Sequence, residues 1–488
     1  MSVTLFRRPA ARVCLVAGAA LAACPAFAGD KPATAEGAKT VQTLIDRFLP
    51  APPAGAPSFA TVKPDGEGYL VSADLSGFNG LIKAAGAAAS YESATLVYKL
   101  FEQDDGKWRI VQDSFPKIVA HAEDTTSAVA IDNYKQSLVI DPALAWWLSL
   151  SGSADRGVMT LHAPKADQSF EFGHVKADGA TTVNGDGSVS SAIKEEVSNI
   201  AFKVSAASKD DAPANASGSL DKAAFHIGAD GLKSRKLFDL VSLINAHRAD
   251  LSEHEAELKM LLKELAAPGL KFAEAGEGTK MMIASPFGAI TLAGFKLAIG
   301  VANQGPQSAI DAAVSAEGLS LPVGLVPPGA ADLTPSNVDF AATFKGIDIG
   351  AAANEAITDM HLGGPEPGIS DEDRAKVFAA LVSAGPLRID IAPSHIVAPA
   401  VDADVQGQMR WNAGKASGTA TIHMRNFDKT LAALKGLGPD MAAKSIPAVA
   451  MAKGLAKTER DGSLSWIVEV GDDRSIKVNG IPLGKVPD

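Results

Sequence analysis

Apolar and polar positions alternate with a period of two along much of this chain, and turn residues punctuate the runs. Leu387-Arg388-Ile389-Asp390-Ile391 is one case. Side chains of a strand point alternately to opposite faces, so such a run predicts a strand with one buried face. Helical spacing interrupts the alternation at three places. Val41, Leu44, Ile45 and Phe48 predict a helix over Lys39 to Phe48, broken by Pro50-Ala51-Pro52-Pro53. Strands Ser58 to Val62 and Gly68 to Leu75 follow, joined at Pro64-Asp65-Gly66. The second place is the stripe Leu237, Leu240, Val241, Ile244, Leu251, continued by Leu258, Leu261, Leu262 and Leu265. Its polar middle, Asn245 to Glu257, predicts a kink, two helices or an exposed stretch. Pro268-Gly269 ends it, and strands are expected at Leu270-Lys271-Phe272, Lys280 to Ile283 and Ile290 to Val301. At the third, Ser370 with Asp373 resembles a capping box, Val377, Phe378, Leu381 and Val382 form the apolar face, and Gly385-Pro386 stops it. A hairpin of Val401 to Trp411 and Gly418 to Arg425 comes after the strand at Leu387.

The recurring order predicts an α+β protein with a mostly antiparallel, curved β-sheet. It would be built from degenerate helix-then-strands repeats, with helices packed on one face. Helix followed by strand is also a common order, so chance recurrence is the alternative. Other hairpin signals are Thr95 to Gln112 around Asp104-Asp105-Gly106, and Asn184-Gly185-Asp186-Gly187. The polar stretch Ser208 to Gly218 marks a boundary, which with the leader gives segments 1–28, 29–230 and 231–488. Helices near Phe427–Leu437 and Met441–Leu455, the second broken at Pro447, precede strands Ser463–Val470 and Ser475–Ile481. The apolar set of Ile290 to Val301 changes parity near Gly294, which predicts a bend there. Helices would either fill the concave side or leave a groove of ligand size.

The first residues change where this fold would work. Arg7, Arg8 and Arg12, the apolar run Val13 to Ala23 and Ala26-Phe27-Ala28 read as a cleaved signal peptide and a periplasmic destination. Leu21-Ala22-Ala23-Cys24 also resembles a lipobox, so a lipoprotein anchored at Cys24 is the alternative. The run is shorter than the ~20 residues a spanning helix needs, and no membrane span is expected in the mature chain. Cys14 and Cys24 both lie in the leader, so plain cleavage leaves no thiol for disulfides, catalysis or zinc.

The 488 residues are 47% hydrophobic and 21% charged, which suits several globular cores. A net charge of −11 and 6% aromatics argue against nucleic acid as a partner.

Catalytic and metal patterns fail on inspection. His254-Glu255 opens a zinc-protease motif, but Leu258 stands where its second histidine belongs. His247 and His254 could share a helix face near Glu257, yet they sit in a run with Arg248, Asp250, Glu253 and Glu255 that reads as a solvated face. Ser191-Ala192-Ile193-Lys194 lacks the companion motifs of penicillin-recognising enzymes. Gly276-Glu277-Gly278 is followed by Met281 rather than glycine, which breaks the dinucleotide pattern. Asp104-Asp105 suits its turn for backbone reasons, and Trp146-Trp147 suits a core or a ligand groove. No catalytic, cofactor-binding or metal residue is therefore assigned, and no cofactor is expected.

The ending carries a resemblance. Asp461-Gly462-Ser463-Leu464-Ser465-Trp466 leads to Lys477-Val478-Asn479-Gly480-Ile481-Pro482-Leu483, with Leu325-Val326-Pro327-Pro328 earlier. These segments resemble the YdgA-like family of exported bacterial proteins of unknown function and, more distantly, AsmA-like envelope proteins of an alphaproteobacterial type. The resemblance covers roughly the second half and implies repeated antiparallel strands with interspersed helices; it transfers no catalytic residue. The expectation is a non-enzymatic periplasmic envelope protein that binds a lipid or other apolar ligand. The competing expectation is an interaction module that binds a protein partner through sheet edges.

Overall fold

A computed structural model describes residues 31–485 apart from residues 50–51, 53–57, 85, 208–212, 248–249, 328, 364–367, 369, 413–414 and 438. The leader, with Cys24 and the expected cleavage site, lies outside the described residues. The structure is mostly antiparallel sheet, 54% strand against 24% helix, and the sheet is not closed. No helix among the described residues is long and apolar enough to cross a membrane.

Two compact units divide at Leu265/Ala266, with residues 361–364 belonging to the first. The helix Ser234–Ala246 packs against the N-terminal helix Ala35–Phe48 and buries Leu240 and Leu243 in the first unit, while Val241 and Ile244 stay exposed. Residues 208–212 of the polar stretch lie outside the described residues. The strand Pro213–Leu232 pairs with Val189–Ala207 along nearly its whole length.

The first unit is an up-and-down meander of long antiparallel strands. Thr125–Asp132 and Lys135–Asp141 form one bent strand, as do Trp146–Ala154 with Arg156–Ala163 and Ala166–Phe172 with His174–Val183. The bends line up across the sheet. Asn133 and Asn199 adopt left-handed backbone, with φ of 50° and 52°. Asparagine tolerates this region better than most residues. Asn133 Nδ2 donates to Asp155 Oδ2 at 2.9 Å, and a Cβ at Gly173 would stand 2.8 Å from the Asn199 Cβ. Side chains change parity here: Ile131 and Val129 share a face on one side of Asn133, Gln136 and Leu138 on the other. A left-handed residue reverses the pleat, so the parity change keeps the apolar set together. The helix Ala35–Phe48 covers this face at its N-terminal end. Ala38 and Val41 pack with Tyr69, Leu100, Ile110 and Leu138. Gln42 pins that helix to the strand Ala60–Asp65, donating to Ala60 O at 3.0 Å and accepting from Val62 N at 3.0 Å.

The second unit repeats the meander. Strands Lys271–Ser285, Gly288–Ala302, Ser308–Glu317, Asn337–Ile347, Leu387–Ala398, Val401–Asn412 and Lys415–Arg425 pair each with the next. Leu464–Val470 then pairs with Lys415–Arg425 and with Ser475–Val478. Gly294 pairs with Thr279 inside an unbroken strand, and the left-handed residue nearby is Lys280 on the neighbouring strand, with φ of 52°. The helical stripe after Leu237 forms two helices, Ser234–Ala246 and Glu255–Ala266. Ser370 caps the helix Asp371–Leu381 by accepting from Asp373 N at 3.2 Å. The strand Asn337–Ile347 stops where Asp348 caps a helix Ile349–Asp359 by accepting from Ala351 N at 2.8 Å.

Leu138 is 1% exposed beneath the N-terminal helix. Leu138→Ala should lower stability by about 2–5 kcal/mol, read as a lower denaturant midpoint at unchanged slope. A loss below about 1 kcal/mol would mean that the helix does not seal this core.

Candidate functional site

The registers of the second unit give its two faces opposite chemistry. Residues paired directly across a ladder share a face, so one row reads Phe272, Val301, Ile310, Phe344, Ile389, Met409. The next row inward reads Ile299, Ala312, Ala342, Ile391, Gly407, with the acid Glu274 on the first strand. Leu297, Val314 and Phe340 form a third. On the reverse face, Lys345 pairs with Asp390 at 2.8 Å, and Thr343 donates to Asp311 at 2.6 Å. Arg425 bridges Asp402 and Asp404 at 2.9 and 2.8 Å, and His395 Nδ1 lies 2.6 Å from Asp404. Burial raises the Asp404 carboxyl, but His395 and Arg425 outweigh it and hold the group below its ordinary value.

Among the described residues, helices seal one end of the apolar face. Phe427, Leu431, Val449 and Leu455, from helices Phe427–Lys435 and Pro439–Leu455, pack on Ile422, Trp466, Val468 and Val478. Trp466 Nε1 donates to Ala452 O at 2.7 Å. Asn479 ties the same corner, donating to Leu455 O at 2.8 Å and Ser465 O at 3.1 Å and accepting from Ile467 N at 2.8 Å. The Asn-Gly near the C-terminus therefore has a structural role. On the earlier strands the face is open: Leu297 is 53% exposed, Ile299 47%, Met409 47% and Trp411 58%. Large apolar side chains collected on one exposed face mark a binding surface.

A bulge keeps this face continuous. Val338 pairs with Ile396 but Ala342 pairs with Ile391, so the strand Leu387–Ala398 carries one extra residue. Ser394, buried in the bulge, accepts from Ala341 N and donates to Ala392 O at 2.9 Å, which satisfies backbone that the ladder leaves.

The first unit also exposes Met159, Phe170, Phe225 and Ile227 on its later strands. Glu195 sits in a row with Gln136, Gly152, Ala177 and Phe225, and burial pushes its carboxyl above the ordinary value.

The residues singled out in the sequence separate into structural roles and one cluster. Ser191 bonds Trp146 Nε1 and Thr181 at 2.8 Å, while Lys194 pairs with Glu196 at 2.7 Å; three apart in a strand, Ser191 and Lys194 face opposite sides. Gly276-Glu277-Gly278 lies within a strand, where it cannot cradle a phosphate. Asp105 accepts from Lys107 N in its turn. Trp147 packs on the first unit's core. His247, Asp250 and His254, read as a solvated face, meet at the junction of two helices: their nearest ligand atoms lie within 4.8 Å of one another. The sequence signal for them was only the spacing of three and seven.

A scan against protein-family models finds no matching family, and searches of curated proteins and of solved structures find no match.

Two outcomes follow from the burial. Leu297→Asp should change stability by less than about 0.5 kcal/mol, as for an exposed site; unfolding of the variant would show that the face is closed. Glu195 binds its proton more tightly folded than unfolded, so its ionisation opposes folding once pH rises past the carboxylate range. Glu195→Gln should therefore melt higher than the parent near pH 7 and alike near pH 4. Equal melting at both would place Glu195 in solvent.

Proposed function

We propose that this is a non-enzymatic periplasmic envelope protein that holds a lipid acyl chain on the open apolar face of the second unit. The carrying observation is the set of paired rows in which apolar side chains repeat from strand to strand with little polar interruption. Backbone donors and acceptors there are used by the ladder, so the face offers dispersion and desolvation but few hydrogen bonds. Hydrocarbon is the ligand that asks for nothing else. Six strands spaced ~4.8 Å apart span roughly 24 Å between the outer axes. That exceeds the ~15 Å that one leaflet contributes to a ~30 Å hydrocarbon core. The leader read at Arg7 to Ala28 supports an exported protein. A curved sheet of degenerate helix-then-strands units, of YdgA-like or AsmA-like kind, is part of the same proposal.

An interaction module working through sheet edges is the second reading. The strand Ile481–Lys485 is exposed throughout and pairs, among the described residues, with Ser475–Val478 alone. Pro482 and Lys485 on that strand weaken the case, since proline and lysine blunt edges.

Native mass spectrometry of the protein taken from its own envelope should show bound species of lipid mass. In Leu297→Asp they should fall at least about tenfold, because a charge facing an acyl chain costs more than the 1.4 kcal/mol of one decade. A lipid-free parent, or a variant that keeps its lipid, would sink the reading.

A further inference from the structure

We propose that His247, Asp250 and His254 form a binding site for a zinc-class metal dication, clasping the end of one helix to the start of the next. His247 closes the helix Ser234–Ala246, its N–H bonded to Leu243 O at 3.0 Å, which leaves the ring free to project. The chain then turns, with Asp250 N donating to His247 O at 3.2 Å and Glu253 N to Asp250 O at 2.8 Å. The short 3-10 turn Leu251–His254 runs directly into the helix Glu255–Ala266. The two imidazoles meet here tilted against each other, ring centroids 3.5 Å apart at 34°.

The side-chain distances in the cluster are longer than hydrogen bonds. Asp250 Oδ1 is 3.5 Å from His247 Nδ1, and Asp250 Oδ2 is 3.9 Å from His254 Nε2. Hydrogen bonds between nitrogen and oxygen are shorter, about 2.7–3.2 Å. Two ligands on a tetrahedral zinc with bonds of ~2.0–2.1 Å stand about 3.3–3.4 Å apart, the edge of that tetrahedron. With one donor atom from each residue, the three groups lie within 4.8 Å of one another, so a modest rotation of the side chains brings them to that spacing. Two imidazoles and a carboxylate are donors of the type that zinc, nickel and copper ions take. The other nitrogen of His254, Nδ1, has Glu257 Oε2 at 3.9 Å, outside direct hydrogen-bond reach. Three protein donors leave a fourth position for water.

The test is titration of the tag-free chain with zinc ion against a chromophoric chelator. One ion per chain should bind. His247→Gln and His254→Gln should each weaken it by more than the roughly 10–100-fold that loss of a supporting residue costs. His361→Gln is the control: His361 is exposed, lies 3.9 Å from Glu255 and is outside the cluster, so its loss should change nothing. X-ray absorption at the zinc edge, which needs no variant, should show two imidazoles at ~2.0 Å. No binding below millimolar zinc, equal loss in His361→Gln, or a shell of oxygen alone would overturn the proposal.

Discussion

A β-sheet has one hydrogen-bond ladder and two faces, and the strand period of two decides what each face carries. In the second unit that constraint separates the chemistry completely enough to be read row by row. Ion pairs such as Lys345–Asp390 and Arg425–Asp404 hold one face in water, while Phe344, Ile389 and Met409 line the other. Helices then cover only part of the apolar side. The pair Phe427–Lys435 and Pro439–Leu455 seals the last strands over Trp466, and Leu297 and Trp411 stay exposed on earlier ones. The functional reading rests on that shortfall of cover.

Long strands tend to lose this separation, because one slipped residue sends every later side chain to the wrong face. The structure corrects for it locally. Asn133 and Asn199 turn left-handed where the first unit bends, and Lys280 does so in the second. The extra residue near Ser394 does the same by a bulge, and its hydroxyl settles the backbone left over. These residues protect the continuity of a surface rather than the strength of a core.

Much of the local structure was legible. Alternation gave the strands at Leu387, Val401 and Ser463, and glycine and asparagine marked the turn at Asn184–Gly187, where Gly187 takes φ of 80°. The change of parity near Gly294 was visible too, but the left-handed backbone of Lys280 was not. Glycine is the ordinary suspect for an irregular strand, and nothing in the pattern singles out a lysine on the neighbouring strand. The helix Ile349–Asp359 was hidden because its alanine-rich start continues the apolar run of the strand before it. Polar composition, as at Ser208 to Gly218, marks a turn as readily as a linker, so it places a boundary only loosely. The histidine cluster needed the turn after His247, which the spacing alone does not specify.

The central claim is that one face of the second unit's sheet is open and takes hydrocarbon. Neighbouring residues on opposite faces test it most directly: Ile299 lies on the apolar face and Ala298 on the polar one. Single variants Ile299→Cys and Ala298→Cys, made in the cysteine-free chain after Ala28, can be timed against a thiol reagent with and without a long-chain fatty acid. The account predicts that both react in the folded protein and that the fatty acid slows Ile299→Cys alone. An unreactive Ile299→Cys, or equal protection at the two positions, would contradict it.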